Sequence, residues 1–129
     1  MNINVTLQQA REPVAVMSIQ GEINATNFVQ VVDKAHEIYE NPARNLVIDL
    51  SEVPSISNTG LVAIHKIALI YSGVSQEQMQ HPDFTHNSNA RKRVKLLNPQ
   101  PDVEKALETG GLKLFFKIFR DLESALNSF

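Results

Sequence analysis

Four polar residues that could do chemistry stand between two apolar runs, in the segment VIDLSEVPSISNTGLVAIHKI from Val47 to Ile67. They are Ser55, Ser57, Asn58 and Thr59. Hydroxyl groups accept phosphoryl groups and become nucleophiles when a base activates them, and Ser and Thr are also preferred N-caps of helices. The segment is therefore an active site, a modification site or a connection that caps a helix. Residue types alone do not choose among the three.

A catalytic role for these hydroxyl groups lacks partners in the sequence. A serine nucleophile needs a histidine base and a carboxylate, but no GxSxG motif is present and no spacing ties Ser55 or Ser57 to a histidine. His65 falls inside the second apolar run, where a helix-face position is favoured over catalysis. Asp49 stands at a strand end, where accepting backbone N–H groups explains it at least as well as chemistry. We therefore expect that the protein is not an enzyme.

Signals for metals, cofactors and nucleic acid are weak. His81 and His86 flank Asp83 in a polar segment, but their spacing matches no strong metal-ligand motif, and a solvated loop is favoured. The phosphate-binding motifs GxxxxGK[ST] and GxGxxG do not occur. One basic cluster is expected to flank a strand edge rather than to bind nucleic acid, because no aromatic residues interleave with it. It consists of Arg91, Lys92, Arg93 and Lys95. No metal and no cofactor is predicted.

Composition narrows the class of protein. The chain has 129 residues, 43% apolar and 20% charged, as expected of one ordinary globular domain spanning 1–129. A net charge of −2 gives no broad attraction to nucleic acid or anionic membranes, and the lack of cysteine removes thiol chemistry. The sequence shows no secretory signal and no apolar stretch long enough for a membrane span, so we expect a cytoplasmic protein.

Strand and helix patterns alternate along the chain. Strands are predicted at 3–7, 13–20, 45–50, 94–97 and 112–119, and helices at 28–38, 60–71, 101–108 and 122–129. Asn24 or Thr26 is the expected N-cap of the first helix. The polar loop lies between the third predicted strand and the second predicted helix. The order ββαβαβαβα predicts an α/β fold with a mixed sheet of about five strands and about four helices. The polar residues 72–91 are predicted to form an extended surface loop.

The polar segment resembles the signature of the STAS domain, a family named after sulphate transporters and anti-sigma-factor antagonists. In that signature an apolar strand ends in Asp-Leu-Ser, and Asp-Ser-Ser-Gly-Leu then opens a helix. Here Asp49, Leu50 and Ser51 match the strand end, and Gly60 and Leu61 match the helix start. GEINATNF resembles the family's Gly-x-Leu-Asp segment, and VEKALETGGLKLFFKIFRDLESAL resembles its closing segment. Three segments in the right order extend the resemblance over nearly the whole chain.

The resemblance implies a single STAS-like domain that regulates a partner. In bacterial antagonists of this kind, an anti-sigma factor that is also a kinase phosphorylates the first serine of Asp-Ser-Ser-Gly. The unphosphorylated domain binds the kinase and frees the sigma factor. The phosphorylated domain lets go, because the phosphate adds nearly two negative charges at the contact surface. The implied partner is an anti-sigma factor with serine-kinase activity or another STAS-containing protein, and a homodimer stays open.

The chain departs from the family pattern at the switch itself. In an alignment on Gly60, Ser57 replaces the aspartate, Asn58 the phosphorylated serine and Thr59 the second serine. Asn24 replaces the acidic residue of the Gly-x-Leu-Asp segment. An amide cannot accept a phosphoryl group, so phosphotransfer at Asn58 is expected to be lost. Thr59, and after it Ser57, is the substitute phosphoacceptor, unless each only caps the helix.

We therefore predict a partner-binding loop and helix start at 55–61. The partner-binding residues are predicted to be Asn24, Ser55, Ser57, Asn58, Thr59 and Gly60. Two other functions stay open. One is a structural STAS subunit of a signalling assembly or of a membrane transporter, which the missing acceptor serine fits at least as well. The other is a nucleotide or small-ligand binder that holds a phosphate at the helix N-terminus.

Overall fold

The computed structural model describes residues 1–40, 45–71, 92–114 and 116–129, and it confirms the predicted α/β fold and order of elements. The strands are β1 Asn2–Gln9, β2 Pro13–Gln20, β3 Asn45–Glu52, β4 Val94–Leu97 and β5 Lys117–Phe119. The helices are α1 Phe28–Glu40, α2 Asn58–Tyr71, α3 Pro101–Thr109 and α4 Leu122–Leu126. The loop predicted at 72–91 lies outside the described residues, together with His81, Asp83, His86 and Arg91.

The five strands form one mixed sheet in the order β1-β2-β3-β4-β5. β1 pairs with β2 in antiparallel orientation, and the three remaining pairs are parallel. β3 is buried along most of its length, which explains its nearly continuous apolar sequence, whereas most residues of the edge strand β1 are exposed. The parallel pairs bring the C-terminal ends of β2, β3, β4 and β5 to one side of the sheet.

Both faces of the sheet are covered, and β2 contributes alternately to each. Ala15, Met17 and Ile19 lie in the main core, which also contains buried residues of α1, α2 and α3. Val14 and Val16 lie in a second cluster on the other face, under Ala125 of α4 and its neighbours. Inside the main core, the Tyr71 hydroxyl donates a 2.8 Å hydrogen bond to the carbonyl of Ala35. This bond ties the end of α2 to the middle of α1.

Two predictions about the C-terminal half are wrong. The strand predicted at 112–119 is a 3-10 turn at Leu112–Leu114 followed by a strand of three residues, 117–119. β5 pairs with β4 over three residues, 95–97 of β4. The basic cluster does not flank a sheet edge: Lys95 lies in β4, between β3 and β5, and is only 5% exposed.

The C-terminal segment is joined to α3 by charged side chains. Arg120 Nη2 donates to both carboxylate oxygens of Glu104, at 2.8 Å to Oε2, and Lys113 Nζ lies 3.5 Å from the same oxygen. The hydrogen bond from Arg120 is the main cause that lowers the pKa of Glu104. Asp121 caps α4, and the bond that its carboxylate accepts from the backbone of Ser124 lowers its pKa as well.

We expect Glu104→Gln to destabilise the protein in a pH-dependent way. Folding lowers the pKa of Glu104 from its ordinary value of 4.5, so its contribution is complete above about pH 4.5 and is lost as the pH falls through the lower folded value. Urea unfolding should show a penalty below about 1 kcal/mol at pH 7 that shrinks in acid.

Glu108→Gln is the matched control. Glu108 is 71% exposed and lies 3.9 Å from Lys113, so its replacement should leave the free energy of unfolding nearly unchanged throughout. A Glu104→Gln penalty that is the same at about pH 3 and pH 7 would contradict the proposed role of the charge.

Candidate functional site

The loops that follow β2 and β3 lie side by side at the C-terminal edge of the sheet. Ile23 and Ile56 form a parallel bridge between them. Its two hydrogen bonds run from Ile23 N to the Ser55 carbonyl at 3.2 Å and from Ser57 N to the Ile23 carbonyl at 2.9 Å. The structure thus brings Asn24 next to the segment 55–57, as expected for loops that follow neighbouring parallel strands.

Helix α2 begins at Asn58, two residues before the predicted start at Gly60. The Ser57 hydroxyl accepts a 3.2 Å hydrogen bond from Gly60 N, and the Ser57 carbonyl accepts one of 2.9 Å from Leu61 N. Ser57 is therefore the N-cap, while Thr59 lies inside the first turn. Because the cap already bonds Gly60 N, that N–H group is not open to a phosphate at this helix start.

Gly60 is buried, and its lack of a side chain allows the first turn of α2 to approach the loop that follows β2. A Cβ atom at this position would lie 2.7 Å from the Ile23 carbonyl oxygen and 2.6 Å from Ile56 Cγ1. Carbon atoms in contact normally stay about 3.5 Å or more apart, so only glycine fits here without displacement of its neighbours. The first turn of α2 consequently lies directly against the backbone that leads into α1.

The exposed side of α2 consists of three residues spaced four apart, Asn58, Val62 and Lys66. The other predicted polar residues of the segment, Ser55, Ser57 and Thr59, are each half-buried. Val62 is 50% exposed and follows Asn58 by one turn, so the two side chains share a face. Sequence reasoning did not single out Val62 and Lys66. For Val62 the reason is that the apolar run from Leu61 to Tyr71 does not reveal which apolar residue faces outward.

Asn24 holds the turn that precedes α1. Its side-chain oxygen accepts hydrogen bonds from the backbone N–H and the hydroxyl of Thr26, at 2.9 and 2.6 Å. Its own backbone N–H donates to the side chain of Asn27 at 2.9 Å. Asn24 and Thr26 are the two expected N-caps. The side chain of Asn24 accepts the hydrogen bond from the backbone N–H of Thr26, so Asn24 is the residue that acts as a cap. Asn24 is half-buried, so it presents only part of its amide at the surface.

Charged groups stand at the rim of the site and not within it. Exposed Glu52 accepts a hydrogen bond from Gln20, and exposed Glu22 accepts one of 3.2 Å from the amide of Asn24. The segment 53–59 contains no charged residue. The polar groups of this segment are therefore neutral hydroxyl and amide groups.

Asp49 and His65 are the residues considered for acid–base chemistry, and both are half-buried in the fold. Asp49 accepts hydrogen bonds from the Ser51 backbone at 3.0 Å and from the Ser18 hydroxyl at 3.2 Å, which agrees with the structural explanation for it. His65 is half-buried in α2, and burial lowers its pKa, so its neutral form prevails at neutral pH. Across the described ranges, no group of three or more His, Cys, Asp or Glu side chains could hold a metal ion.

Comparisons with known proteins agree on the fold. The sequence profile of the STAS domain matches residues 6–71, about half of the chain. An anti-sigma factor antagonist from Mycobacterium paratuberculosis is similar in structure, with a TM-score of 0.68 and 20% identity over 98% of this chain and 93% of that one. A proposed antagonist from Thermotoga maritima has a TM-score of 0.69 and 18% identity, over 94% and 90%.

The Bacillus cell fate determinant SpoIIAA, in its phosphorylated form, is similar with a TM-score of 0.58 and 16% identity, over 94% of this chain and 96% of that one. At such identities these likenesses show a shared fold. No curated protein sequence matches the chain. Among the helices that the structure describes, none has the length and apolar character needed to cross a membrane.

We expect Gly60→Ala to lower the free energy of unfolding by about 1 to 3 kcal/mol, the range typical of forcing an extra carbon into a packed site. The added methyl would meet the Ile23 carbonyl oxygen at 2.7 Å, so the first turn of α2 must move. Urea unfolding measures the loss.

Gly110→Ala is the control, since it adds the same atom after a helix where the nearest neighbour, Leu61 Cδ1, lies 3.2 Å away on a flexible side chain. This variant should change the free energy of unfolding by less than about 1 kcal/mol. Equal effects of the two substitutions would show that the contact with Ile23 is not what demands glycine at position 60.

Proposed function

This chain belongs to the STAS domain family, and we propose that it is a non-catalytic regulatory module of the anti-sigma-factor antagonist type. Its partner is an anti-sigma factor with serine-kinase activity or a related switch protein, which it binds through the segment 55–61. The observation that carries the proposal is the position of Asn58. It is exposed at the first residue of α2, where the family pattern has its phosphorylated serine.

The structural neighbours support this class of function. They include anti-sigma factor antagonists, and the Bacillus protein SpoIIAA is known in a phosphorylated form. In antagonists of this type, phosphorylation ends partner binding. The charge of the contact surface therefore decides whether the partner binds. Here the segment 53–59 is neutral, because Asn58 cannot be phosphorylated and none of its residues is charged. Phosphorylation at position 58 therefore cannot switch the module out of its partner-binding state.

The surface around Asn58 suits a protein partner. Val62 offers a half-exposed apolar side chain on the same helix face, and Lys66 extends that face by one more turn. A protein interface commonly combines an apolar centre with a polar rim, and the exposed carboxylates of Glu22 and Glu52 stand at the rim of this one. Docking would cover Asn58 and Val62 together.

Regulation can still operate through a neighbouring hydroxyl group. Thr59 stands ahead of Ser57 as the substitute phosphoacceptor, because the Ser57 hydroxyl is already bonded as the N-cap of α2. A phosphate on Thr59 would lie in the first helical turn, where the helix dipole favours negative charge. It would add to the surface the charge that the missing serine no longer provides.

We expect Asn58→Asp to weaken partner binding by at least about tenfold, since a carboxylate buried in the interface without a cation costs more than 1.4 kcal/mol. The new charge sits at a helix N-terminus, where it does not harm folding. Wild type and variant, immobilised at equal density, are compared for capture from a lysate of the source organism, with captured proteins identified by mass spectrometry.

Two variants complete this experiment. Asn4→Asp makes the same change at an exposed position of β1. This variant should capture the same proteins as wild type to the same extent. Asn58→Ser should bind until Mg-ATP is added and then release a captured kinase, because the acceptor has been restored. If Asn58→Asp captures the same proteins as wild type to the same extent, the surface is not charge-sensitive, and a structural subunit of an assembly becomes the better description.

We expect phosphopeptide mapping of the protein from its native host to find phosphate on Thr59, and Thr59→Val to abolish it. Thr6→Val removes an exposed hydroxyl of β1, away from the site, and should leave the phosphopeptide unchanged. Stoichiometric phosphate on any residue outside 55–59 would remove this loop from the regulatory mechanism.

A further inference from the structure

The two edges of the sheet differ in how they are protected. β5 forms one edge; it has only three residues, begins with the exposed Lys117 and is followed by the exposed Arg120. β1 forms the other edge, and its eight residues, Asn2–Gln9, include no charged residue and no proline. Short strands, charges, prolines and bulges are the usual features that keep a sheet edge from pairing with another chain. By length and composition, β1 lacks this protection.

The main chain of β1 is also regular. All eight residues pair with β2 in one unbroken register, from Asn2 opposite Gln20 to Gln9 opposite Pro13. In an antiparallel strand, alternate residues turn both main-chain groups to the same side, so about four residues of β1 direct their N–H and C=O groups away from β2. Among the strands that the structure describes, none pairs with this outer side, which we call the β1 edge. The β1 edge therefore offers a row of main-chain donors and acceptors to one more strand.

One face of β1 carries apolar side chains that the fold leaves partly uncovered. Ile3, Val5 and Leu7 alternate with polar residues and lie opposite β2 residues of the main core. Ile3 is half-buried and packs against that core. Val5, however, is 37% exposed, and Leu7 is 62% exposed. The side of the sheet that α1 and α2 cover thus remains apolar and open along part of β1.

The residues of β1 are complementary to those of a second β1. In antiparallel pairing about a two-fold axis at Val5, residue 3 of one copy lies opposite residue 7 of the other, and residue 4 lies opposite residue 6. Opposite residues point to the same face of a sheet. Ile3 therefore meets Leu7 and Val5 meets Val5 on the apolar face, while Asn4 meets Thr6 on the polar face. Because the strand is uncharged, its residues bring no like charges together.

We propose that two copies of this chain pair through their β1 edges in antiparallel orientation and form one continuous sheet of ten strands. A second copy matches the apolar face of β1 residue for residue, whereas a strand of another protein would find no charged residue in β1 to select it. The interface is isologous, so it occupies the β1 edge of both copies and the assembly closes at two. One strand pair is smaller than a standard interface of about 1,200–2,000 Å², so we expect a reversible dimer.

The dimer leaves the proposed partner surface open, and it does not rest on the proposed function. The segment 55–61 follows β3, which lies two strands inside the sheet. The two-fold axis reverses the strand direction, so the two copies present these segments at opposite ends of the joined sheet. Each copy keeps its own Asn58. The capture experiments on Asn58 and the tests of the dimer can therefore fail separately.

Sedimentation equilibrium of the full chain between about 10 μM and 1 mM tests the proposal, and we expect a monomer–dimer equilibrium without larger species. Val5→Lys should raise the dissociation constant of the dimer at least about tenfold, because two like charges then meet at the two-fold axis. Val5→Glu should do the same, and an equimolar mixture of the two variants should dimerise again. Val62→Lys is the control, since it makes the same change at a half-exposed residue of α2 and should dimerise as wild type does.

Cross-linking tests the register of the pairing. The chain has no cysteine, so a single substitution places one thiol at a chosen point of the β1 edge. In the dimer, the two thiols of Val5→Cys lie opposite each other, within reach of a disulfide. Those of Leu7→Cys lie four residues apart along the strands, about 13 Å at roughly 3.3 Å per residue. Under mild oxidation Val5→Cys should therefore form the disulfide-linked dimer at least about tenfold faster. Random collisions would favour Leu7→Cys, because Leu7 is the more exposed residue.

Three results would overturn the proposal. They are a wild-type chain that stays monomeric at about 1 mM, assemblies larger than the dimer, and cross-linking of Leu7→Cys as fast as that of Val5→Cys. Circular dichroism establishes whether Val5→Lys and Val5→Glu are folded. If either variant is not, the comparison of the two cysteine variants decides the outcome.

Discussion

The approach of Gly60 to the backbone of Ile23 is the contact on which the geometry of the site depends. It joins α2 to the residues that enter α1, while the bridge between Ile23 and Ile56 joins the two loops that follow β2 and β3. Neither loop can move without the other, because both bonds of the bridge use main-chain groups. The position of Asn58 is consequently fixed by the sheet, through the two loops that follow β2 and β3.

Much of the fold follows from local patterns. The apolar stripe of α1 and the nearly continuous apolar residues of β3 predict a helix and a two-sided buried strand, and both are present. The alternation of strands and helices predicts the parallel part of the sheet. The extent of β5 could not be predicted in this way, because it depends on which residues pair with β4 in the folded sheet. The interior position of Lys95 depends in turn on β5.

The proximity of the two loops at the candidate site was predictable from the sequence, whereas their local geometry was not. Neighbouring parallel strands place Asn24 beside the segment 55–57, and that proximity follows from topology. The start of α2 does not, because Ser57 and Thr59 are both acceptable caps in sequence and the choice is made where the helix meets Ile23. The role of Gly60 is likewise tertiary, since it depends on an atom 37 residues away in the chain. Val62 was overlooked because the sequence of an apolar run does not indicate which of its residues faces outward.

The placement of Asn58 on a helix and not on a loop has a consequence for the kinetics of association. A residue in a capped first turn, held against the main chain of a neighbouring segment, has little conformational freedom left to lose when it is covered. Under the proposed function, this chain is then the preorganised member of the complex, and the entropic cost of ordering falls on its partner. Encounter with such a surface resembles rigid docking, so differences in affinity among variants of this face arise mainly from the dissociation rate.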